Sequence, residues 1–298
     1  MTFRLMVFIS LCKQRRMHMK YKIVGDSSCD ITKQMEEEMN IAIAPLTFTL
    51  DGVEYVDDDN LDLENYLRKI DQSSSVPKSA CPSIQDYLDH FEGDHEWVFG
   101  VTLSSELSGS YNSAMNAKTM YLEKYPDKKV HIFNSRGAST MEVLIALKVH
   151  ELVEAGEKSF DEIVDYVEAY IDEAKVLFVL DKIDTLEKNG RMSSMKAKIV
   201  RALNLKLILK ATPEGAIDMV DKARGTKKAL AKMVNSMPKV GTVSKDKILA
   251  ISHCNALERA EYVKQLASES YDFKDIIILK MRGLSSTYAN EGGIIISF

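Results

Sequence analysis

The sequence predicts α/β sheets, parallel at least in the first half, split into two domains. Short strand-like apolar runs alternate with helical periodicity from residue 21 to the end, the order that surrounds a parallel sheet with helices. Three strands of the first half run directly into loops crowded with Ser, Thr and Asn. A polar break, Glu154-Ala155-Gly156-Glu157-Lys158-Ser159, separates two helical stretches near the middle. It sets the expected domains at 20–157 and 158–298.

In chain order, residues 21–25 (Tyr-Lys-Ile-Val-Gly) form a first buried strand. Residues 41–50 read as one longer strand. Apolar positions recur at helical spacing over 61–71 and 83–91. A strand at 96–101 leads to a helix over 109–123, and a strand at 129–133 to a helix over 140–155. Beyond the break come a helix at 160–174, a strand at 176–180 and a short helix at 182–188. Strands at 205–209, 247–252, 275–279 and 293–298 then enclose helices at 226–237 and 257–268. No internal repeat is visible.

The first nineteen residues stand apart. An apolar stretch of only about six residues is followed by Lys13, Arg15 and Arg16, with no small-residue cleavage site. Met17 and Met19 lie just ahead of the first strand, so 1–19 is expected to be a mis-called start or a disordered extension.

Composition narrows the class. The 298 residues are 45% hydrophobic, 28% charged and 8% aromatic, ordinary for a globular protein. No apolar run approaches the ~20 residues of a membrane helix. Cys12, Cys29, Cys81 and Cys254 have no CxxC spacing, and the six His form no HxxxH set, so neither a disulfide framework nor a metal site is expected. Free thiols suit a reducing cytoplasm. The formal charge is −5, yet residues 188–247 hold 12 Lys and 3 Arg against four acids, a local +11. This stretch has no Phe, Tyr or Trp to stack on bases, which excludes a single-strand nucleic-acid binder and leaves solvated helix faces or a basic docking surface.

Ligands of open α/β sheets sit beyond the carboxyl ends of strands. Here those ends carry Asp26-Ser27-Ser28-Cys29-Asp30, then Thr102 through Ser110, then Asn134-Ser135-Arg136-Gly137. Ser108-Gly109-Ser110 opens a helix, whose free N–H groups and dipole favour an anion, and Gly109 allows close backbone approach. Ser at a helix start is also a common N-cap. Neither a Walker A loop nor GxGxxG is present, and Glu106 breaks any GxSxG at Ser108. The chemistry points to a carboxylate or phosphate at a strand–loop–helix junction. Arg191, after Asn189-Gly190, projects from a tight turn toward solvent, a partner or an anion. The fifteen Met are read as core fillers, and Asp57-Asp58-Asp59 as a solvated turn.

At these residues the chain resembles the DegV family of bacterial fatty-acid-binding proteins. The family's D-S-S-x-D loop matches Asp26 to Asp30. Its K-T-S-Q-P-S loop is seen in altered form as Lys78-Ser79-Ala80-Cys81-Pro82-Ser83. The motif S-S-x-L-S-G-T-Y-x-S-A is nearly intact from Ser104 to Ala114, L-x-x-L-x-K-G-G-R-I-S corresponds to Ile183 through Ser193, and L-N-I-K to Leu203-Asn204-Leu205-Lys206. The resemblance implies a Rossmann-like first sheet, a mixed second sheet, and a long-chain fatty acid buried between the domains in an apolar tunnel. Its carboxylate would be held by Ser79 and Ser108, with Ser27, Gly109, Ser110 and Tyr288 alongside. It further implies a carrier without catalysis, serving a separate ATP-dependent kinase that forms an acyl phosphate, with Arg191 on the partner surface. One departure matters. The family's G-T-H-x-G-P-G is here Ser286-Thr287-Tyr288-Ala289-Asn290-Glu291-Gly292, so a phenol replaces an imidazole. The rival readings are a serine hydrolase, a small-molecule phosphotransferase, and a regulatory protein-binding module.

Overall fold

The computed structural model describes residues 21–192 and 205–298. The expectation for residues 1–19 therefore lies outside the described residues, as do Ser193 of the 183–193 match, the Leu203-Asn204 part of the L-N-I-K match and residues 193–204 of the basic stretch.

Among the described residues the chain forms thirteen strands and ten helices. The first sheet has the order β2-β1-β6-β7, all parallel, from β1 (Tyr21–Asp26), β2 (Ile41–Ala44), β6 (Trp97–Thr102) and β7 (Lys129–Asn134). Between them lie α1 (Lys33–Glu38), α2 (Leu63–Gln72), α3 (Ile84–Phe91) and α4 (Ser110–Lys124). The second sheet, β10-β9-β8-β13-β11-β12, is mixed, with one parallel pair, β11 and β12. Its strands are β8 (Val176–Val179), β9 (Lys206–Ala211), β10 (Ile217–Ala223), β11 (Ile248–His253), β12 (Asp275–Lys280) and β13 (Ile294–Ser297). Helices α7 (Asp184–Lys188), α8 (Thr226–Val240), α9 (Leu257–Ser270) and α10 (Gly283–Ala289) connect them. The fold is α/β, with a parallel sheet in the first half and a mixed one in the second.

The expected strand at 41–50 is two strands. Pro45 has no N–H to donate, so the ladder breaks there. Ile41–Ala44 stays with β1, while β3 (Thr47–Leu50) turns away to pair with β4 (Val53–Val56) and β5 (Lys78–Ala80) in a small antiparallel sheet. That excursion carries Ser79 and Leu46 toward the site.

Helix α5 (Thr140–Ala155) lies between the two large sheets, touching β1 and β6 on one side and β11 and β13 on the other. Burial on both sides explains why it is apolar nearly all round, with Met141, Val143, Leu144, Ile145, Ala146 and Val149 all buried. Gly156 ends it in the left-handed region (φ 66°). A capping box of Ser159 and Glu162 then starts α6 (Phe160–Glu173), so the polar break at 154–159 is this turn. The largest core joins both sheets through Phe99, Val101 and Phe133 on one side and Val176, Phe178 and Leu207 on the other. Within α8, Pro238 deprives the Val234 carbonyl of its helical donor. The Tyr271 hydroxyl, 3.2 Å away, supplies one instead.

Candidate functional site

An apolar cavity of about 100 Å³ opens between the sheets at the carboxyl ends of the first-sheet strands. Phe178 and Val176 on β8, Leu186 on α7, Ile217 on β10, Ile295 on β13 and Leu103 after β6 supply its greasy wall. Its polar side chains come from Ser28, Ser79, Ser108, Ser285, Tyr288 and Arg191. No His, Asp, Glu or Lys lines it among the described residues.

Ser79 sits on β5, held in register by pairing with Phe48 of β3. Its hydroxyl lies 2.8 Å from the Tyr288 hydroxyl on α10. Two residues 209 positions apart are thus joined at the rim. Ser108 precedes α4, and its oxygen accepts the Ser110 N–H at 3.2 Å and lies 3.1 Å from the Ser110 hydroxyl. It thereby meets the first turn of α4, whose N-cap position is Gly109. Gly109 has an ordinary φ of −75°; a Cβ there would come within 3.1 Å of the Cys81 sulfur, so its smallness serves packing against the Lys78–Ser83 loop.

Of the remaining predicted residues, two lie outside the cavity and one lines it. Ser110 and Ser27 are fully buried behind the wall, outside the cavity lining. Ser27 accepts the Leu46 N–H at 3.0 Å and so fixes the turn after β2. Arg191 follows α7, which ends in a Schellman motif: Gly190 N–H donates to Glu187, and Arg191 N–H to Leu186. The Arg191 side chain folds inward, donating from Nε to the Leu107 carbonyl at 3.0 Å and from Nη1 to that of Asn189. It lines the cavity beside Ser108.

Three features were not legible. Asp57, read as part of a solvated turn, is 2% exposed. It accepts the Gly283 and Leu284 N–H groups at 2.9 and 2.8 Å, satisfying the first turn of α10 from a distant element. A Cβ on Gly283 would meet Asp57 Oδ1 at 2.2 Å, so only glycine admits this grip, and α10 carries Tyr288. Second, Asp30 accepts from the Ser139 hydroxyl at 2.5 Å, the Ser252 hydroxyl at 2.7 Å and Arg282 N–H at 2.7 Å. One carboxylate therefore ties α5, β11 and the α10 entry together. It holds Ser139 at φ 60°, a strained position for a residue with a side chain. Burial raises Asp30 and Asp57 to about 6, against the opposing pull of these donors. Third, the β9–β10 turn docks on the loop after β6, where the Ser104 hydroxyl donates to the Gly215 carbonyl at 2.9 Å. Gly215 has φ +100°, and a Cβ there would come 2.2 Å from Ser104 Oγ.

The fold has known counterparts. The sequence model of the DegV family, described as a family of uncharacterised proteins, matches residues 20–298. The chain belongs to the DegV family. A DegV domain-containing protein of Streptococcus pneumoniae (strain ATCC BAA-255 / R6) is 36% identical over 282 residues, 94% of this chain and 99% of the relative. Among solved structures, a DegV family protein from Ruminococcus gnavus with vaccenic acid is 42% identical, with a TM-score of 0.88 over 94% of this chain and 100% of that one. The Streptococcus pneumoniae Fatty Acid Kinase (Fak) B3 protein, loaded with linoleic acid, is 34% identical, with a TM-score of 0.85 over 94% and 99%. Both of these solved structures hold a fatty acid. Among the described residues, no cluster of three or more His, Cys, Asp or Glu could hold a metal ion. No described helix is long and apolar enough to cross a membrane.

Proposed function

We propose that this protein binds a long-chain fatty acid in the cavity between its sheets, with the carboxylate held by Ser108, Ser79 and Tyr288. The observation that carries the reading is an apolar cavity whose few polar side chains are hydroxyls and one guanidinium, together with solved relatives that hold such acids. A ~16-carbon acid burying ~15 methylene groups gains on the order of 12 kcal/mol before ordering costs. Each hydrogen bond to the carboxylate adds about 1.5–3 kcal/mol. The tail therefore supplies most of the affinity and the hydroxyls set depth and acid selectivity. Pockets for ligands of this size span roughly 300–1,000 Å³, so a full chain needs Phe178, Leu186 or Ile217 to give way.

The protein acts in this reading as a carrier without catalysis. A serine hydrolase would need a base beside Ser108, and no imidazole or carboxylate lines the cavity among the described residues. The reacting partner is a separate kinase that phosphorylates the presented acid, and the basic stretch at 188–247 suits an acidic surface on it. Association should then weaken steeply with ionic strength. Arg191→Ala separates the two roles open to that residue: lost kinase association with lipid retained marks a docking residue, and lost lipid marks a head-group residue. The deciding experiment is mass spectrometry of whatever small molecule is released from protein purified from cells. One dominant free fatty acid is expected; ester or ATP turnover by the pure protein, with no acid released, refutes the reading.

A further inference from the structure

Four carboxyl groups are buried around the end of β1, and three of them are met by donors. Asp30 and Asp57 have those described above. Asp26 accepts the Ser28 N–H through Oδ1 and the Leu103 N–H through Oδ2, both at 3.0 Å. Glu142, in the first turn of α5, is the exception. It is 0% exposed, and neither of its oxygens has a donor in hydrogen-bond geometry.

The groups that face it offer no charge compensation. They are Asp26 from β1, Ser28, Cys29 and Asp30 from the following loop, and, across Asp26, Tyr87 of α3 with Cys81 beyond it. Arg282, the cation that bears on this region, is paired with Glu36. The α5 dipole favours an anion here and the Ser28 hydroxyl lies near, but a buried carboxylate with no cation and no donor in hydrogen-bond geometry is the costlier state by far. A protonated Glu142 needs an acceptor, and Asp26 has room for one. A carboxylate has about four acceptor sites; two take backbone N–H groups, and Ser110 and Glu142 lie within reach of the others.

We propose that Glu142 is a neutral acid sharing its proton with the Asp26 carboxylate, and that this pair makes the neighbouring anion site proton-linked. The link is structural. Ser28 touches the pair and lines the cavity, and Ser110 connects Asp26 to Ser108. Losing the shared proton places a second negative charge behind Ser108, where a ligand carboxylate sits, so carboxylate binding weakens and proton release opposes loading. This consequence rests on the fatty-acid reading; the protonation does not.

The test has two arms on the full-length chain. Infrared spectra of delipidated protein at pH 8, above the value of about 6 to which burial raises Asp26, Asp30 and Asp57, should show a protonated-carboxyl stretch. The stretch should vanish in Glu142→Gln and persist, shifted, in Asp26→Asn. Its absence from the unmodified protein, or its survival in Glu142→Gln, overturns the proposal, and the first of these needs no variant to fold. In the second arm, affinity for the free acid should fall about tenfold as pH rises past the point where that stretch is lost, affinity for its methyl ester should stay level, and Glu142→Gln should abolish the fall. A parallel fall for acid and ester, or a fall that persists in Glu142→Gln, overturns the linkage. A protein that binds neither ligand refutes the fatty-acid reading and leaves the infrared result to decide the protonation.

Discussion

Tyr288→Phe removes one hydroxyl and keeps the ring, which makes it a sharp probe of the rim. Tyr288 lies 2.8 Å from Ser79, so both oxygens border one point in the cavity. In the ligand-free protein the change breaks a single neutral hydrogen bond, worth about 0.5–1.5 kcal/mol net. Ser79 is only half-buried and finds water instead, so the loss of stability should fall at the lower end. With a fatty acid bound, the same hydroxyl donates to a carboxylate. Such a bond contributes about 1.5–3 kcal/mol, so affinity should fall about ten- to 150-fold. The methyl ester offers only a neutral acceptor and should lose about two- to tenfold. Competition against a fluorescent fatty acid, run with acid and ester on both proteins, reads all four constants. Ser79→Ala combined with Tyr288→Phe should cost less than the sum of the two, because they share one bond. Equal acid affinities for wild type and Tyr288→Phe would falsify the assignment of Tyr288 to the carboxylate.

Ser108→Ala should lower acid affinity about ten- to a hundredfold and narrow discrimination against the methyl ester, measured in the same competition; unchanged discrimination removes Ser108 from the site. Gly215→Ala meets Ser104 Oγ at 2.2 Å with φ at +100° and should lower stability by at least about 1–3 kcal/mol, read by urea denaturation; a loss of a few tenths would show that the turn shifts freely. Stability should also fall as pH rises from 4 to 6. Asp26, Asp30 and Asp57 each titrate at about 6 in the folded chain against an ordinary 3.8. The folded state therefore holds extra protons in that window, and their contribution is complete below 3.8 and gone above 6. A thermal midpoint that climbs steadily across this range contradicts it.

The long elements were legible because their periodicity is local. Helix α5 runs over Thr140–Ala155, the same residues that its apolar pattern marks, and the parallel order of the first sheet follows from strand–helix alternation. What escaped depends on partners far along the chain. Helix α10 is Gly-Leu-Ser-Ser-Thr-Tyr-Ala, poor in helix formers, and its first turn is satisfied by Asp57, 226 positions away. Read alone, Asp57-Asp58-Asp59 is three solvated acids; only the folded neighbourhood turns the first into a clamp. The strands β4 and β5, with four and three residues, are too short to show a period. The shared site of Ser79, Ser108 and Tyr288 could be named from motif resemblance, but the docking of the β9–β10 turn against it could not, because it depends on the Ser104–Gly215 contact across 111 positions. Glu142 gave no signal at all: one acid among apolar residues in a helix looks like an exposed face until the end of β1 and its loop cover it.

The position of β13 governs the order in which the chain can be built. Residues 294–297 fill the middle of the second sheet, antiparallel to β8 on one side and β11 on the other, and Phe298 beyond them is fully buried. During synthesis the parallel first sheet is complete once residue 134 has emerged. The second must wait, with β8 and β11 each presenting a bare row of N–H and C=O groups, a template for adhesion between nascent chains. A chain that stops at Gly293 leaves two open half-sheets, β10-β9-β8 and β11-β12, with no strand to join them.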